Sequence, residues 1–158
     1  MADRKSRANS AEHIYDTFIV GAGISGLATA ITLNRTGYQN FKIIEKAGRV
    51  GGTWRENTYP GCGCDVPSSL YSYSFAPNPR WSRMFAPQQE IWDYLKRCAD
   101  KFGITPHMRF NCEVERAEYD EQKQIWHVTT HDGTELTTRI FVSGIGALSI
   151  PAYPKLPG

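Results

Sequence analysis

Apolar runs of strand type and apolar stripes of helix type alternate along the first hundred residues. Phe18, Ile19 and Val20 form a short apolar run that enters Gly21-Ala22-Gly23-Ile24-Ser25-Gly26. Ile24, Leu27, Ala28 and Ile31 follow at i, i+3, i+4 and i+7, which predicts a helix with one apolar face, and Gly37 is its natural stop. Phe41, Ile43 and Ile44 predict a second strand ending at Glu45. From Arg55 to Pro87 neither spacing survives, and the segment is rich in Gly, Pro, Ser and aromatic residues. A loop of that length inside a compact domain is usually functional. Pro87 suits the first turn of a helix, and Ile91, Tyr94, Leu95, Cys98 and Phe102 carry an apolar face to a stop at Gly103. Phe110, Cys112 and Val114 alternate with polar residues and predict a strand reaching Tyr119, with a turn at Asp120–Lys123. Ile125 to Thr130, Asp132-Gly133 and Glu135 to Val142 read as a hairpin with a favoured two-residue turn. Arg139 to Ser143 then runs into Gly144-Ile145-Gly146, a strand end that suits close approach of backbone to a ligand or a plain turn.

Placed between a strand and a helix, Gly21-x-Gly23-x-x-Gly26 has the spacing of a dinucleotide-binding turn. Gly21 makes the tight turn, Gly23 admits a pyrophosphate to the backbone, and Gly26 lets the helix pack closely on the strand. The helix start points free N–H groups and the positive end of its dipole at the phosphate position. Glu45, about 20 residues beyond the last glycine, stands where ribose hydroxyls are met. Strand, helix, second strand and acid agree, so the sequence predicts an α/β, Rossmann-like domain that binds a dinucleotide.

At 158 residues, with 41% apolar and 22% charged residues, the chain has the size and composition of one globular domain. A net charge of +2 with scattered basic residues gives no reason to expect nucleic acid. Arg4, Lys5 and Arg7 lie in a polar leader, residues 1–15, that reads as a disordered tail. Leader and following apolar stretch imitate an export signal, but the three spaced glycines and the acids Glu12 and Asp16 argue against one. The stretch is too interrupted for a membrane span, and the expected location is cytoplasmic. Cys62, Cys64, Cys98 and Cys112 have neither a disulfide framework nor metal spacing, so no metal is expected. The loop aromatics Tyr59, Tyr71, Tyr73, Phe75, Trp81 and Phe85 suit either a planar ligand or anchorage of the loop. Asp65 is balanced between a site carboxylate and a turn former. Residues 16–150 are expected to form the domain, and the proline-rich residues 151–158 a linker.

Arg49-Val50-Gly51-Gly52-Thr53-Trp54 adds a second glycine turn just after the acid, and GGTWRENTYPGCGCDVPSSLYSYSF continues from it. Together with GAGISG before and GALSIPAYPKLPG after, this resembles the N-terminal FAD-binding part of Baeyer–Villiger monooxygenases. The resemblance runs from Asp16 to the end of the chain. The choice of FAD over NAD rests on it, because the first turn suits both. It implies that Gly21, Gly23, Ser25 and Gly26 meet the FAD pyrophosphate and Glu45 the ribose. Gly52, Thr53 and Trp54 would line the ribityl and flavin side. Asp65 and Tyr71 would lie against the isoalloxazine, with Gly63, Cys64 and Asp65 also near the nicotinamide of NADP. The backbone of Val114 would hold the adenine, and Gly144 to Gly146 would form the second strand end touching FAD.

In that family NADPH and molecular oxygen are used to turn a ketone into an ester or lactone, while the protein positions the cofactor and excludes water. Asp65 would act through its charge, holding an arginine of a later part of the family chain. That family carries a second dinucleotide-type glycine turn for NADP and a F-x-G-x-x-x-H-x-x-x-W signature, and neither occurs in these residues. The chain is therefore expected to be part of a two-dinucleotide flavoprotein. Alone, it is expected to be inactive, to hold FAD weakly at best, and to expose a sheet edge and an apolar face. Three other readings remain open: a flavin monooxygenase acting on amines or sulfides, a nucleotide-binding module without chemistry, and an NAD-dependent dehydrogenase.

Overall fold

A computed structural model describes residues 13–147 and 152–157. Most of the polar leader and the boundary expected at 150–151 lie outside the described residues. Strand β1 (Ile14–Val20) delivers the chain to the first glycine turn, and helix α1 (Ile24–Arg35) leaves it. Strand β2 (Phe41–Ile44) follows, then the short helix α2 (Thr53–Glu56), the long loop, and helix α3 (Gln88–Lys101). Strands β3 (Met108–Arg109), β4 (Val114–Asp120), β5 (Ile125–Thr130) and β6 (Glu135–Ser143) complete the order.

All six strands lie in one sheet, in the order β3-β2-β1-β6-β5-β4. The pairs β3–β2, β2–β1 and β1–β6 are parallel, whereas β6–β5 and β5–β4 are antiparallel. A parallel half is thus joined to a meander, with β6 belonging to both. Ile19, Phe41 and Ile43 sit in one core with Leu27, Ala30 and Ile31 of α1 and Tyr94, Leu95, Cys98 and Ala99 of α3. Strand alternation turns Phe18 and Ile44 to the opposite side, where they are also buried. A sheet buried on both faces explains the unbroken apolar runs of β1 and β2.

Three elements depart from the expected pattern. Pro87 is the residue before α3, in an extended conformation (φ −68°, ψ 155°), rather than part of its first turn. The single strand expected from Phe110 to Tyr119 is split. Met108 and Arg109 pair with β2, residues 110–113 leave the ladder, and β4 begins at Val114. The cause lies in hydrogen bonding: the N–H groups of Asn111 and Cys112 donate to the carbonyls of Ala47 and Glu45 (3.1 and 3.0 Å) rather than to a strand partner. Apolar alternation cannot reveal such a change of partner. The hairpin turn at Asp132-Gly133 is present, but the strands end at Thr130 and resume at Glu135. Among the described residues, no helix is long and apolar enough to cross a membrane.

Candidate functional site

The carboxyl ends of β1, β2 and β6 bring the glycine turns together, which is where ligands bind in sheets of this kind. Gly21 has φ +100°, and a Cβ there would lie 2.5 Å from the Gly144 carbonyl oxygen. A Cβ on Gly26 would lie 1.8 Å from the carbonyl oxygen of Gly21. Strand, helix and β6 therefore meet backbone to backbone, and Gly144 N–H donates to the Val20 carbonyl at 2.8 Å. The second turn folds over the first. Gly51 N–H donates to the Ala22 carbonyl at 2.9 Å, and a Cβ on Gly52 would reach within 3.0 Å of the Gly23 Cα. Helix α1 starts between the two turns with Gly23 at its N-cap, no side-chain cap and no acid in its first turn. Ser25 is exposed beside it. The cradle is made of glycine backbone and a bare helix start, the combination that accepts a diphosphate.

Glu45 is 5% exposed at the end of β2. One carboxylate oxygen accepts the Ala22 N–H at 2.7 Å, and the other accepts the Ala47 N–H at 2.9 Å. Arg55 brings its guanidinium to 3.5 Å from the second oxygen. The acid is thus fastened to the first glycine turn itself. A sugar held by Glu45 and a diphosphate over Gly23 would be parts of one ligand.

Trp54, on α2, donates its indole N–H to the Tyr71 hydroxyl at 3.0 Å, and the two rings meet edge to face at 5.5 Å. Burial pushes the Tyr71 phenol up from its ordinary range. Both rings pack on a small buried group made of Cys64, Ala86 and Ile91. Gly63 bridges to Pro87, and an open groove of about 360 Å³ runs along Gly61 to Asp65, Arg83 and Phe85. Asp65 is exposed at this groove, while Cys64 is buried beneath it. Thr53 is exposed at the start of α2.

Val114 lies apart from the glycines, at the start of β4, two residues after the Cys112 N–H that donates to Glu45. Gly146 is exposed with φ +74°, and a Cβ there would touch nothing within 4 Å, so Gly144 is the glycine in tight contact. A larger concavity of about 500 Å³, lined by Asn78, Arg80 and the charged face of α3, is not at the strand ends.

Three residues that the sequence reading passed over, Arg55, Gln88 and Trp92, hold the second turn and the loop in place together with Tyr73 and Tyr94. Arg55 donates to the Arg49 carbonyl and pairs with Glu56 as well as Glu45. Gln88 donates its side chain to the Trp54 carbonyl, and Trp92 donates to that of Val50 at 2.8 Å. Tyr94 receives the Tyr73 N–H and donates to the Ala76 carbonyl, both at 2.8 Å. The Tyr73 hydroxyl donates to the carbonyl of Ile24, the first residue of α1, at 2.7 Å. Burial raises the pKa of both phenols. Polar atoms carried on the predicted face of α3 were the available signal.

Parallel strands, glycine cradle and tethered acid define a dinucleotide-binding domain, and residues 19–97, half of the chain, match the family described as NAD(P)-binding Rossmann-like domain. The chain belongs to that family. It is 51% identical over 140 residues to a Baeyer–Villiger monooxygenase of Streptomyces coelicolor, covering 89% of this chain and 27% of that protein. Its fold matches a cyclohexanone monooxygenase from Rhodococcus sp. Phi1 bound to NADP+, with a TM-score of 0.86 and 33% identity, over 94% of this chain and 29% of that one. It also matches the OTEMO complex with FAD and NADP (TM-score 0.83, 36% identity), over 91% of this chain and 28% of that one. The chain thus spans little more than a quarter of the length of these relatives.

Proposed function

We propose that this chain is the FAD-binding portion of an NADPH-dependent flavoprotein monooxygenase that inserts oxygen beside a ketone carbonyl. The observation that carries the reading is the paired turn: Gly52 and Gly23 face each other over a bare helix start, with Glu45 tied to the same backbone. The likeness to a Baeyer–Villiger monooxygenase and to the OTEMO complex with FAD and NADP supports FAD as the dinucleotide.

The N–H groups at the start of α1 and the backbone of Gly21, Gly23, Ser25 and Gly26 would hold the diphosphate. Glu45 would accept hydrogen bonds from the ribose hydroxyls. Gly52, Thr53 and Trp54 would guide the middle of the cofactor, and Gly146 would lie beside it. Tyr71 and the exposed Asp65 would stand at the ring end, and the Val114 backbone at the adenine end. Gly63, Cys64 and Asp65 line the groove offered to NADPH. Bound FAD supplies the electron and oxygen chemistry. In net terms, ketone, O2, NADPH and a proton become ester or lactone, water and NADP+. The chain's own residues bind and orient, and Asp65 contributes a negative charge at the ring end. A cytoplasmic location belongs to the same proposal.

The test is FAD binding followed by flavin fluorescence, with Gly23→Val and Glu45→Gln beside the wild type. Each variant is expected to weaken binding about tenfold or more, since a charge-assisted contact or the phosphate approach is lost. Unchanged affinity in both variants would reject the site. Oxidation of amines or sulfides, with no ester from any ketone, by a protein carrying this domain would reject the substrate class.

A further inference from the structure

We infer that Arg55 is a positioning residue for the adenosine half of the dinucleotide, acting through Glu45 rather than touching the ligand. The inference rests on the reading of Glu45 as the ribose acceptor. A buried carboxylate beside a diphosphate site carries a charge that low dielectric and the incoming phosphates both disfavour. Two backbone N–H groups meet it, and among the described residues Arg55 is the cation within 4 Å.

The Arg55 side chain is only 13% exposed, so its charge is weakly screened. Its fork reaches three acceptors in different places: the Glu45 carboxylate at the end of β2, the Arg49 carbonyl ahead of the second turn, and Glu56 on its own helix. The backbone N–H of Arg55 donates to the Gly52 carbonyl at 3.0 Å, and Gly52 is the glycine that faces Gly23. One residue thus ties the acid to the second turn, by its side chain at Glu45 and by its backbone at Gly52. Arginine suits this because its planar fork serves several acceptors at once, which a lysine ammonium cannot do with the same geometry. The second turn therefore has two separate tasks. Its glycines admit the cofactor, and its arginine holds the Glu45 carboxylate in place.

The experiment titrates the whole chain with FAD, ADP and FMN, following amide NMR shifts so that weak binding is measured too. Arg55→Gln is expected to raise Kd for FAD and ADP about tenfold, the size of one charge-assisted contact, and to leave FMN, which lacks the adenosine half, unchanged. Arg55→Lys keeps the charge and guards against simple misfolding. It is expected to lose several-fold in ADP affinity with an unchanged circular dichroism spectrum. In a Glu45→Gln background, Arg55→Gln is expected to cost less than about twofold, because its route of action is gone. Wild-type affinity in Arg55→Lys, equal losses for FMN and ADP, or an undiminished loss in the Glu45→Gln background would each overturn the inference. A wild type that binds neither FAD nor ADP would take the underlying reading down with it.

Discussion

The first glycine turn and the loop that follows the second are built by opposite means. From Gly21 to Gly26 the fold is held by what side chains omit: backbone meets backbone at Gly21, Gly26 and Gly144, and any Cβ would intrude. From Tyr71 to Ala76 it is held by what side chains add, as Tyr94 and Tyr73 bond to main-chain groups of the loop and of α1. The first region tolerates almost no added volume. The second tolerates volume but not the loss of a hydroxyl. Steric exclusion and polar satisfaction thus divide the site between them.

The largest effect should come from breaking the first region. Gly26→Ala puts a methyl 1.8 Å from the Gly21 carbonyl oxygen, so strand and helix must separate. A loss of about 3 kcal/mol or more is expected in urea denaturation, with FAD binding abolished. A stable Gly26→Ala protein would show that the turn has slack. Tyr94→Phe sharpens the contrast, because it removes a hydroxyl and leaves the half-buried Tyr73 N–H and the buried Ala76 carbonyl without this partner. The cost should be about 2 kcal/mol. Hydrogen exchange should rise at 71–76 while the amides of 21–26 stay protected. Equal exchange in both places would mean that the two regions are one cooperative unit.

The smallest effect should lie in neither region. Asp132, at the hairpin turn, accepts hydrogen bonds from Thr130 and Thr134 and pairs with Arg109 at 3.1 Å, which holds its carboxyl well below the usual range. A depressed folded-state pKa adds stability above the unfolded value of about 3.9, and this stability is lost as pH falls through the folded value. The wild type should therefore exceed Asp132→Asn in urea midpoint at pH 6. The gap should narrow steadily below about pH 4. A gap independent of pH would mean that the charge is not what matters there.

The two regions also differ in how far the sequence disclosed them. Gly21 and Gly26 were legible because each has one conformational duty at a fixed spacing, and β1, α1 and β2 appear where their periodicity put them. Helix α3 was legible for the same reason, down to its stop at Gly103 with φ +62°. The loop was legible only as a loop. Its contacts join Tyr73 to Ile24 and to Tyr94, residues far apart in the chain, and no spacing rule carries that information. The break at 110–113 escaped because alternation reports which face is buried and not which strand is the partner. Arg55 escaped because an arginine in a glycine-rich segment looks like ordinary surface charge until Glu45 is seen beside it.

Strand β6 has a consequence for how the domain is made. It pairs along β1, from Ile14 with Thr137 to Val20 with Ser143, and its end supplies the Gly144 carbonyl that closes over Gly21. A growing chain that emerges from the ribosome with its glycine fingerprint complete would still lack the strand that seats it. Such high contact order favours slow, late assembly. Newly made chains would spend their youth with β1 unpaired on one edge, the interval in which a chaperone or an early supply of cofactor would matter most.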